Sequence, residues 1–184
     1  DGHASFRLEH LAAANGCAHA KAHDALSDVE ALIAFARLLR AAQPRLWDYA
    51  LKLRDKRHVR GLLDLVSPEP VLHVSGRYPA ERRCAALVLP LAEHPSIGNR
   101  MIVADLEADP EAWADLDAEA MADHLYTRRE DLPEGAVRAP LKELHLNRCP
   151  VLVPTAHLRD EDYARMRLDP GRARAHAEAL RARP

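Results

Sequence analysis

The hydrophobic positions follow a helical period in the first third of the chain and a strand-like pattern in its second half. Between residues 24 and 42 apolar side chains recur every three or four positions, which predicts a helix from Asp24 to about Ala42. The apolar side chains of this stretch are Leu26, Val29, Leu32, Ile33, Phe35, Ala36 and Leu39. Because they cover so much of one helix, we expect them to pack inside a larger structure, against a sheet encoded upstream of residue 1.

Several other segments carry helical signals. Ser5 is a candidate N-cap for a helix that runs to Gly16, a residue type common just after helix C-termini. Pro44 cannot continue the helix before it, and a third helix is predicted over 45–65. Further helical patterns cover residues 111–126, 160–168 and 171–183.

Short apolar runs, rich in β-branched residues and punctuated by proline, follow residue 70 and predict strands. They lie at 71–76, 85–91, 101–106 and 144–154. Helices followed by strands predict an α+β fold, and we place a domain boundary at the proline break, which gives domains of residues 1–45 and 46–184. The second domain is predicted to be a small β-barrel with helical insertions.

Composition narrows the function only slightly. Apolar residues make up 48% of the 184 residues, enough for a folded core, and the net charge of −2 neither requires nor excludes a nucleic-acid partner. The three cysteines are far apart and form no CxxC pair, which gives no sign of a zinc ribbon or disulfide framework and fits the cytoplasm. No apolar run is long enough to span a membrane. The chain starts with Asp1 rather than Met, so we expect it to begin within a domain.

The segment AHDALSDVEALI, residues 22–33, contains the clearest candidates for chemistry. His23 precedes the predicted helix and Asp28 lies one turn into it, so both side chains can face one cleft. Asp24 is placed as the N-cap and Ser27 lies beside the positive end of the helix dipole. The alternative is an ordinary capped helix in which Asp28 is a solvated surface carboxylate.

The wider stretch LEHLAAANGCAHAKAHDALSDVEALIAFARLL resembles the third exonuclease motif of the DEDDh family of 3′→5′ exonucleases. The blocks SFRLEHL, QPRLWDY, VLHVSG, LAEHP and LHLNRCPVL, with the Arg-rich end, together resemble the bacterial exodeoxyribonuclease I family. This resemblance covers essentially the whole chain. It implies the C-terminal helices of a ribonuclease-H-like α/β exonuclease domain, followed by an SH3-like β-barrel domain with helical insertions.

The resemblance also implies an activity: 3′→5′ hydrolysis of single-stranded DNA to 5′-mononucleotides, processive and used in DNA repair and recombination. The family's chemistry uses two Mg²⁺ ions, for which Mn²⁺ can substitute, held by carboxylates. Asp28 corresponds to one metal ligand and His23 to the general base, a role that suits an imidazole. The other three catalytic carboxylates are expected upstream, so the chain alone is predicted to be inactive.

Residues that touch the strand or a partner are implied in the same way. The nucleic-acid-binding set is Arg7, Tyr49, Lys56, Asn99, Lys142 and Asn147. Arg159 and Arg181 correspond to a surface for the acidic C-terminal tail of the single-stranded DNA-binding protein, and the protein is expected to be a monomer. For each residue the alternative is a solvated or half-buried side chain without a binding role.

Four further residues are interpreted as structural: His73 and His145 within strands, and Trp47 and Trp113 in apolar helix stripes. Two other functions stay open. One is a binding module, without activity, for single-stranded DNA or a partner protein. The other is an RNA-directed relative, since only contacts to the 2′ position separate the two nucleic acids.

Overall fold

A computed structural model describes residues 5–17, 25–127, 131 and 139–183 of the chain. The chain divides into two compact units, Asp1–Lys52 and Leu53–Pro184. The boundary predicted at 45–46 lies inside the first unit, within the first turn of the helix that begins at Pro44. The division into compact units lies between Lys52 and Leu53, and the domain boundary at 45–46 stays a prediction.

The first unit contains three helices: α1 (Leu8–Ala14), α2 (Ala25–Ala42) and α3 (Pro44–Lys52). α1 packs on α2 and α2 on α3, with Ala12 and Ala31 fully buried. Small side chains at these positions let the helix backbones approach closely.

The predicted ends of α1 are half right. Gly16 follows the helix with φ of 66°, the left-handed conformation that ends helices, as predicted. The N-cap prediction is wrong, because the helix begins at Leu8 and Arg7 occupies the cap position without a side-chain cap bond. The Ser5 hydroxyl instead hydrogen-bonds His10 Nδ1 at 2.8 Å.

The apolar stripe predicted on α2 is present and largely exposed. Leu26, Val29 and Ile33 are 66%, 52% and 45% exposed. A stripe of this width is typical of a helix that packs against another layer, and within the described residues no such layer covers it.

The long helix predicted over 45–65 is wrong, because two helices replace it: α3 and α4 (Lys56–Gly61). The side chain of Asp55 accepts a hydrogen bond from the Arg57 backbone N–H at 2.8 Å and starts α4 as its N-cap. The apolar periodicity continues across this break, which is why the sequence pattern missed it.

The second unit is built on a five-stranded antiparallel sheet in the order β4-β3-β2-β1-β5. The strands are β1 (Val71–Val74), β2 (Ala85–Glu93), β3 (Arg100–Asp105), β4 (Leu141–His145) and β5 (Val151–Pro154). β1 to β4 form a meander, and β5 returns to pair with β1. Within the described residues no ladder joins β4 to β5, so the sheet is open along that edge.

Two segments differ from their sequence predictions. The run 144–154, predicted as one strand, is the end of β4, a turn and then β5, two strands that pair with different partners. The helix predicted over 111–126 is a short 3₁₀ turn, Pro110–Ala112, followed by α5 (Ala118–Tyr126). Asp117 sets the start of α5 by accepting the Ala120 N–H at 2.8 Å.

Proline also shapes the centre of the sheet. β2 runs two residues beyond its predicted end, and its register with β3 shifts between Pro90 and Ala92. Proline has no N–H to donate to a ladder, so a bulge is the conformation that accommodates it in a central strand.

The chain closes with α6 (Asp160–Met166) and α7 (Pro170–Arg181), as the helical pattern predicted. α7 covers one face of the sheet. The buried residues of this core are Leu72, Ala85, Leu87, Leu89, Leu106, Leu168, Ala173 and Ala177. Trp113 is 3% exposed in a second cluster, as predicted, whereas Trp47 on α3 is only half-buried.

The mixture of helices with an antiparallel sheet confirms the predicted α+β class. Among the residues that the structure describes, no helix combines the length and apolar character that crossing a membrane requires.

Candidate nucleic-acid interface

The structure brings two predicted strand-binding residues together at one end of the β3–β4 pair. Arg100 pairs with His145 in the ladder, and one step further the Leu146 N–H donates to the Asn99 carbonyl at 2.9 Å. Asn147 follows directly and is exposed, while Asn99 is half-buried. Their proximity depends on strand register, which the sequence alone does not reveal.

The turn before β3 is held by a polar network. His94 Nδ1 accepts the N–H groups of Ser96 and Ile97, both at 3.1 Å. In the neutral ring the proton therefore lies on Nε2, which is 3.2 Å from Glu143 Oε1. Tyr126 at the end of α5 donates to the same oxygen at 2.7 Å. This network fixes both the turn and the end of α5 to β4.

Glu143 is the centre of that network. Burial alone would raise the pKa of this carboxyl, but hydrogen bonds from Tyr126 and the charge of Arg100, 2.5 Å from Oε2, lower the pKa overall. Glu143 is therefore a carboxylate at neutral pH, and it neutralises Arg100.

Helix α4 holds the other side of the same turn. Arg60 donates to the Gly98 carbonyl at 2.7 Å and forms an ion pair with Glu93. Between α4 and the sheet lies an open groove of about 300 Å³, lined partly by Leu63 and Met101. Lys56, at the first position of α4, is exposed.

Lys142, the fourth predicted strand-binding residue of this unit, is placed differently. Its Nζ is buried 4.3 Å from the centre of the Tyr78 ring, without a hydrogen-bond partner among the described residues. Burial and the nearby charge of Arg77 lower the pKa of Lys142 to about 8, against a smaller opposite effect of Asp105. The ammonium of Lys142 thus lies beneath an aromatic ring rather than free in solvent.

His73 lies beside the same tyrosine. Its Nδ1 is 3.0 Å from the Tyr78 hydroxyl, and the two rings meet edge to face. Burial, with the charge of Lys142, lowers the pKa of His73 to about 3, so the ring stays neutral. The prediction that His73 is a structural residue with its polar atom satisfied is confirmed.

The surface next to this cluster is positively charged. Burial and then the charges of Arg148, Arg100 and Arg77 lower the pKa of His145, and Glu143 opposes them only in part. Sequence reasoning treated His145 as structural and did not single out Arg77 or Arg148. The signal available was an arginine directly after the predicted strand 71–76 and another within the predicted run 144–154.

In the first unit, Asp28 lies in the first turn of α2 and is half-buried. His23 lies outside the described residues, so its geometry with Asp28 stays a prediction. Arg7 is 75% exposed and 3.6 Å from Glu9. Tyr49 on α3 is half-buried, which raises the pKa of its hydroxyl.

The two residues predicted to bind a partner protein have internal contacts. Arg159 precedes α6 and pairs with Asp162 at 3.1 Å. Arg181, at the end of α7, donates to the Pro68 carbonyl at 2.7 Å and lies 3.0 Å from Glu69. An acidic ligand would therefore compete with carboxylates already in place.

The potential metal ligands among the described residues are spread apart. Within residues 5–17, 25–127, 131 and 139–183, no three His, Cys, Asp or Glu side chains are grouped as metal ligands would be. Asp28 is a single carboxylate, and one carboxylate does not hold two divalent ions. These residues alone do not fit a two-metal centre.

Comparison with known proteins gives consistent results. Residues 54–184 match the family described as the Exonuclease I SH3-like domain. The whole chain is 41% identical over 184 residues to exodeoxyribonuclease I of Escherichia coli strain K12 and covers 38% of that protein. The chain thus spans well under half the length of this relative.

Solved structures agree. E. coli exonuclease I in complex with a dA16 oligonucleotide matches the entire chain with a TM-score of 0.92 at 41% identity, over 39% of that protein. The zinc-ion-bound form of an E. coli ExoI–ssDNA complex matches 96% of this chain with a TM-score of 0.88 at 41% identity, over 38% of that protein.

Proposed function

The chain belongs to the Exonuclease I SH3-like domain family, and from that premise we propose that it forms part of a 3′→5′ exonuclease on single-stranded DNA. Such an enzyme releases 5′-mononucleotides and acts in DNA repair and recombination. The observation that carries the proposal is the likeness, over the whole chain, to a nuclease structure that holds a dA16 oligonucleotide.

Asp28 and His23 are the proposed catalytic residues of this chain. A carboxylate is the ligand type that Mg²⁺ or Mn²⁺ prefers, and the position of Asp28 in the first turn of α2 leaves it half-buried rather than fully solvated. A relative binds zinc, which supports a divalent metal as the cofactor. His23 would act as general base, since imidazole titrates near neutral pH. Because Asp28 is only one ligand, the remaining ligands must come from outside these described residues.

The SH3-like domain would hold the strand and so make digestion processive. Asn99 and Asn147 support this role by lying side by side at one end of the sheet. Lys56 is exposed at the start of α4, where it can meet a phosphate.

Three other predicted contacts have weaker support. Arg7 is exposed, and Tyr49 is half-buried, which limits how much of its ring a base can stack on. The ammonium of Lys142 is buried against the Tyr78 ring. It would therefore attract a phosphate through its electric field and not by direct contact. All three stay proposals.

A partner role for Arg159 and Arg181 is also a proposal. The acidic tail of a single-stranded DNA-binding protein would have to displace Asp162 and Glu69 from these arginines. Exposed ion pairs of this kind contribute about 0–1 kcal/mol, so such an exchange is inexpensive. A monomeric state and a cytoplasmic location belong to the same proposal.

A second candidate function is a binding module without activity. The observation that favours it is the lack of a metal-ligand cluster among the described residues. The two proposals, a nuclease and a binding module, can be separated with a chimera in which this chain replaces the aligned 184 residues of the E. coli relative.

The test compares that chimera with the isolated 184-residue chain. The nuclease proposal predicts Mg²⁺-dependent release of mononucleotides from the 3′ end of single-stranded DNA by the chimera, and none by the isolated chain. A folded chimera that binds the oligonucleotide but releases nothing would support the binding module instead. Equal rates on matched RNA and DNA strands would point to the RNA-directed alternative.

A further inference from the structure

We propose that Arg77, His145 and Arg148 form a basic patch that binds a backbone phosphate of single-stranded DNA on the second unit. This inference rests on the proposed function, because it names residues that would hold the strand. It adds three positions that the sequence did not single out as contacts.

Arg77 and Arg148 lie in turns of the sheet, and among the described residues neither pairs with an acidic side chain. Arg77 lies between β1 and β2, Arg148 lies between β4 and β5, and both are exposed. Within the described residues neither has an ion pair. Several other arginines of this unit do have one: Arg60 with Glu93, Arg82 with Asp105, Arg100 with Glu143 and Arg181 with Glu69. The two turn arginines therefore keep their charge available for an external anion.

Both turns are held by backbone hydrogen bonds. Ser75 N–H donates to the Cys84 carbonyl at 2.8 Å and Tyr78 N–H donates to the Ser75 carbonyl at 3.0 Å, on either side of Arg77. Arg148 N–H donates to the His145 carbonyl at 3.3 Å. A guanidinium on a fixed turn loses less freedom on binding, and its planar fork matches the oxygens of a phosphate.

Strand pairing brings the two turns to the same end of the sheet. Val151, the first residue of β5 after the turn that holds Arg148, pairs with Val74, the last residue of β1 before the turn that holds Arg77.

The charges that act on His145 agree with this placement. After burial, the charges of Arg148, Arg100 and Arg77 act on His145, and only Glu143 opposes them. Arg100 is neutralised by Glu143 at 2.5 Å, so the excess positive charge comes from the two turn arginines. The charge of Arg77 also lowers the pKa of the buried Lys142 ammonium, which adds to the positive charge of this surface.

The neighbours of the patch favour a nucleic-acid strand over an acidic protein. Asn147 is exposed immediately before Arg148 and lies beside Asn99, which adds amide groups suited to phosphate, sugar or base. The imidazole of His145 offers a ring nitrogen donor at the same surface. These polar groups lie along the end of β3 and β4, where an extended strand can follow them.

The experiment measures binding of the 184-residue chain to a 5′-fluorescein dT13 oligonucleotide by anisotropy, in EDTA, from about 20 to 300 mM NaCl. The test variant is Arg77→Gln with Arg148→Gln. The matched control is Arg165→Gln with Arg174→Gln, which removes the same charge from exposed positions on α6 and α7. A thermal unfolding curve for each protein confirms that folding is unchanged.

We expect the test variant to lower the slope of log K against log salt by about 1.4, since each single-strand phosphate contact contributes about 0.7. The control should keep the parent slope. His145→Gln should weaken binding and leave the slope unchanged if the neutral ring donates a hydrogen bond. The inference is overturned if the test variant has the same salt slope as the control, or if the parent chain does not bind dT13 at all. It is also overturned if the two substitutions weaken binding to an Asp-rich decapeptide but leave binding to dT13 unchanged.

Failure of this inference is distinguishable from failure of the proposed function. The chimera assay for mononucleotide release decides the function, whereas the salt slope of the isolated chain decides the patch. An active chimera with an unaltered slope in the test variant would remove the patch alone.

Discussion

Replacing Lys142 by methionine should stabilise the second unit, although the substitution removes a charged residue from a protein proposed to bind DNA. The Lys142 ammonium is buried without a hydrogen-bond partner among the described residues, over the ring of Tyr78. Methionine is also unbranched and fills a similar space, and it has no charge to desolvate. Replacing an unpaired buried charge by an apolar group of like shape is commonly neutral or stabilising.

The magnitude follows from the pKa of Lys142, which falls from 10.5 to about 8 on folding. Each pKa unit corresponds to about 1.4 kcal/mol, so the protonated lysine destabilises the fold by at most about 3.5 kcal/mol near pH 7, and by less because solvent screens the partly buried side chain. The contact with the Tyr78 ring returns roughly 1–2 kcal/mol of that. We therefore expect Lys142→Met to raise the free energy of unfolding by about 1–2 kcal/mol at pH 7.

The sign of the pH dependence gives a second, sharper signature. Between about pH 8 and 10.5 the unfolded chain still binds the Lys142 proton that the folded chain has released, so stability rises with pH in this window. Below pH 8 both states hold the proton and the penalty is constant. The methionine variant lacks this proton, so its advantage over the parent should shrink steadily as pH rises through the window.

Urea unfolding followed by Trp113 fluorescence measures both quantities, with Trp47→Phe present in both proteins so that one reporter remains. Comparing the two proteins at each pH cancels the cysteines, tyrosines and other lysines that titrate in the same range. The reasoning would be refuted by a variant that is less stable than the parent at pH 7, or by a difference in stability that does not change between pH 7 and 10.

Three other outcomes follow from single contacts. Tyr78→Phe should destabilise the chain by about 1–3 kcal/mol in urea unfolding, because it leaves buried His73 Nδ1 without its partner, and no loss would mean that another group satisfies that nitrogen. Asp55→Ala should cost about 0.5–2 kcal/mol by removing the cap bond to Arg57 N–H, while Asp55→Asn should keep most of it, so equal effects of the two would contradict a capping role. His23→Ala in the chimera should lower the single-turnover rate by about 10²–10⁴-fold and leave dT13 affinity nearly unchanged, and an unaltered rate would return His23 to a structural position at the start of α2.

The sequence predicted the elements whose signals are local. Short β-branched runs identified β1, β2 and β3 to within two residues or so, since strand propensity and flanking turn residues are written in the segment itself. The apolar stripe of α2 and the Gly16 terminator were predictable for the same reason.

Helix starts inside continuous apolar patterns were not predicted. Asp55 and Asp117 are both good cap residues, but the hydrophobic period continues past each of them. A cap stabilises a helix start by only about 1 kcal/mol, so whether the chain breaks there depends on tertiary packing that the pattern does not contain. The run 144–154 failed differently, because its two halves pair with β3 and β1, strands far apart in the sequence.

The site shows the same division. Family resemblance supplied Asn99 and Asn147, and only the strand register shows that they are neighbours. The sequence carried no signal that separates the burial of Lys142 from that of Arg77. The fold buries the ammonium of Lys142 under Tyr78 and leaves Arg77 exposed, because the turn after β1 folds over β4. Which cation is free for a ligand is therefore a property of the tertiary structure.

The most direct test of the proposed nuclease is the Asp28→Asn variant of the E. coli chimera, measured beside Glu30→Gln, which changes an exposed carboxylate two residues further along the same helix. Asparagine keeps the shape of the side chain and removes the negative charge that a metal ligand needs. We predict that Mg²⁺-dependent release of mononucleotides from single-stranded DNA falls by orders of magnitude in Asp28→Asn, with unchanged thermal unfolding, and stays at the parent rate in Glu30→Gln. A near-parent rate in Asp28→Asn would contradict the assignment of this chain to the catalytic machinery of a nuclease.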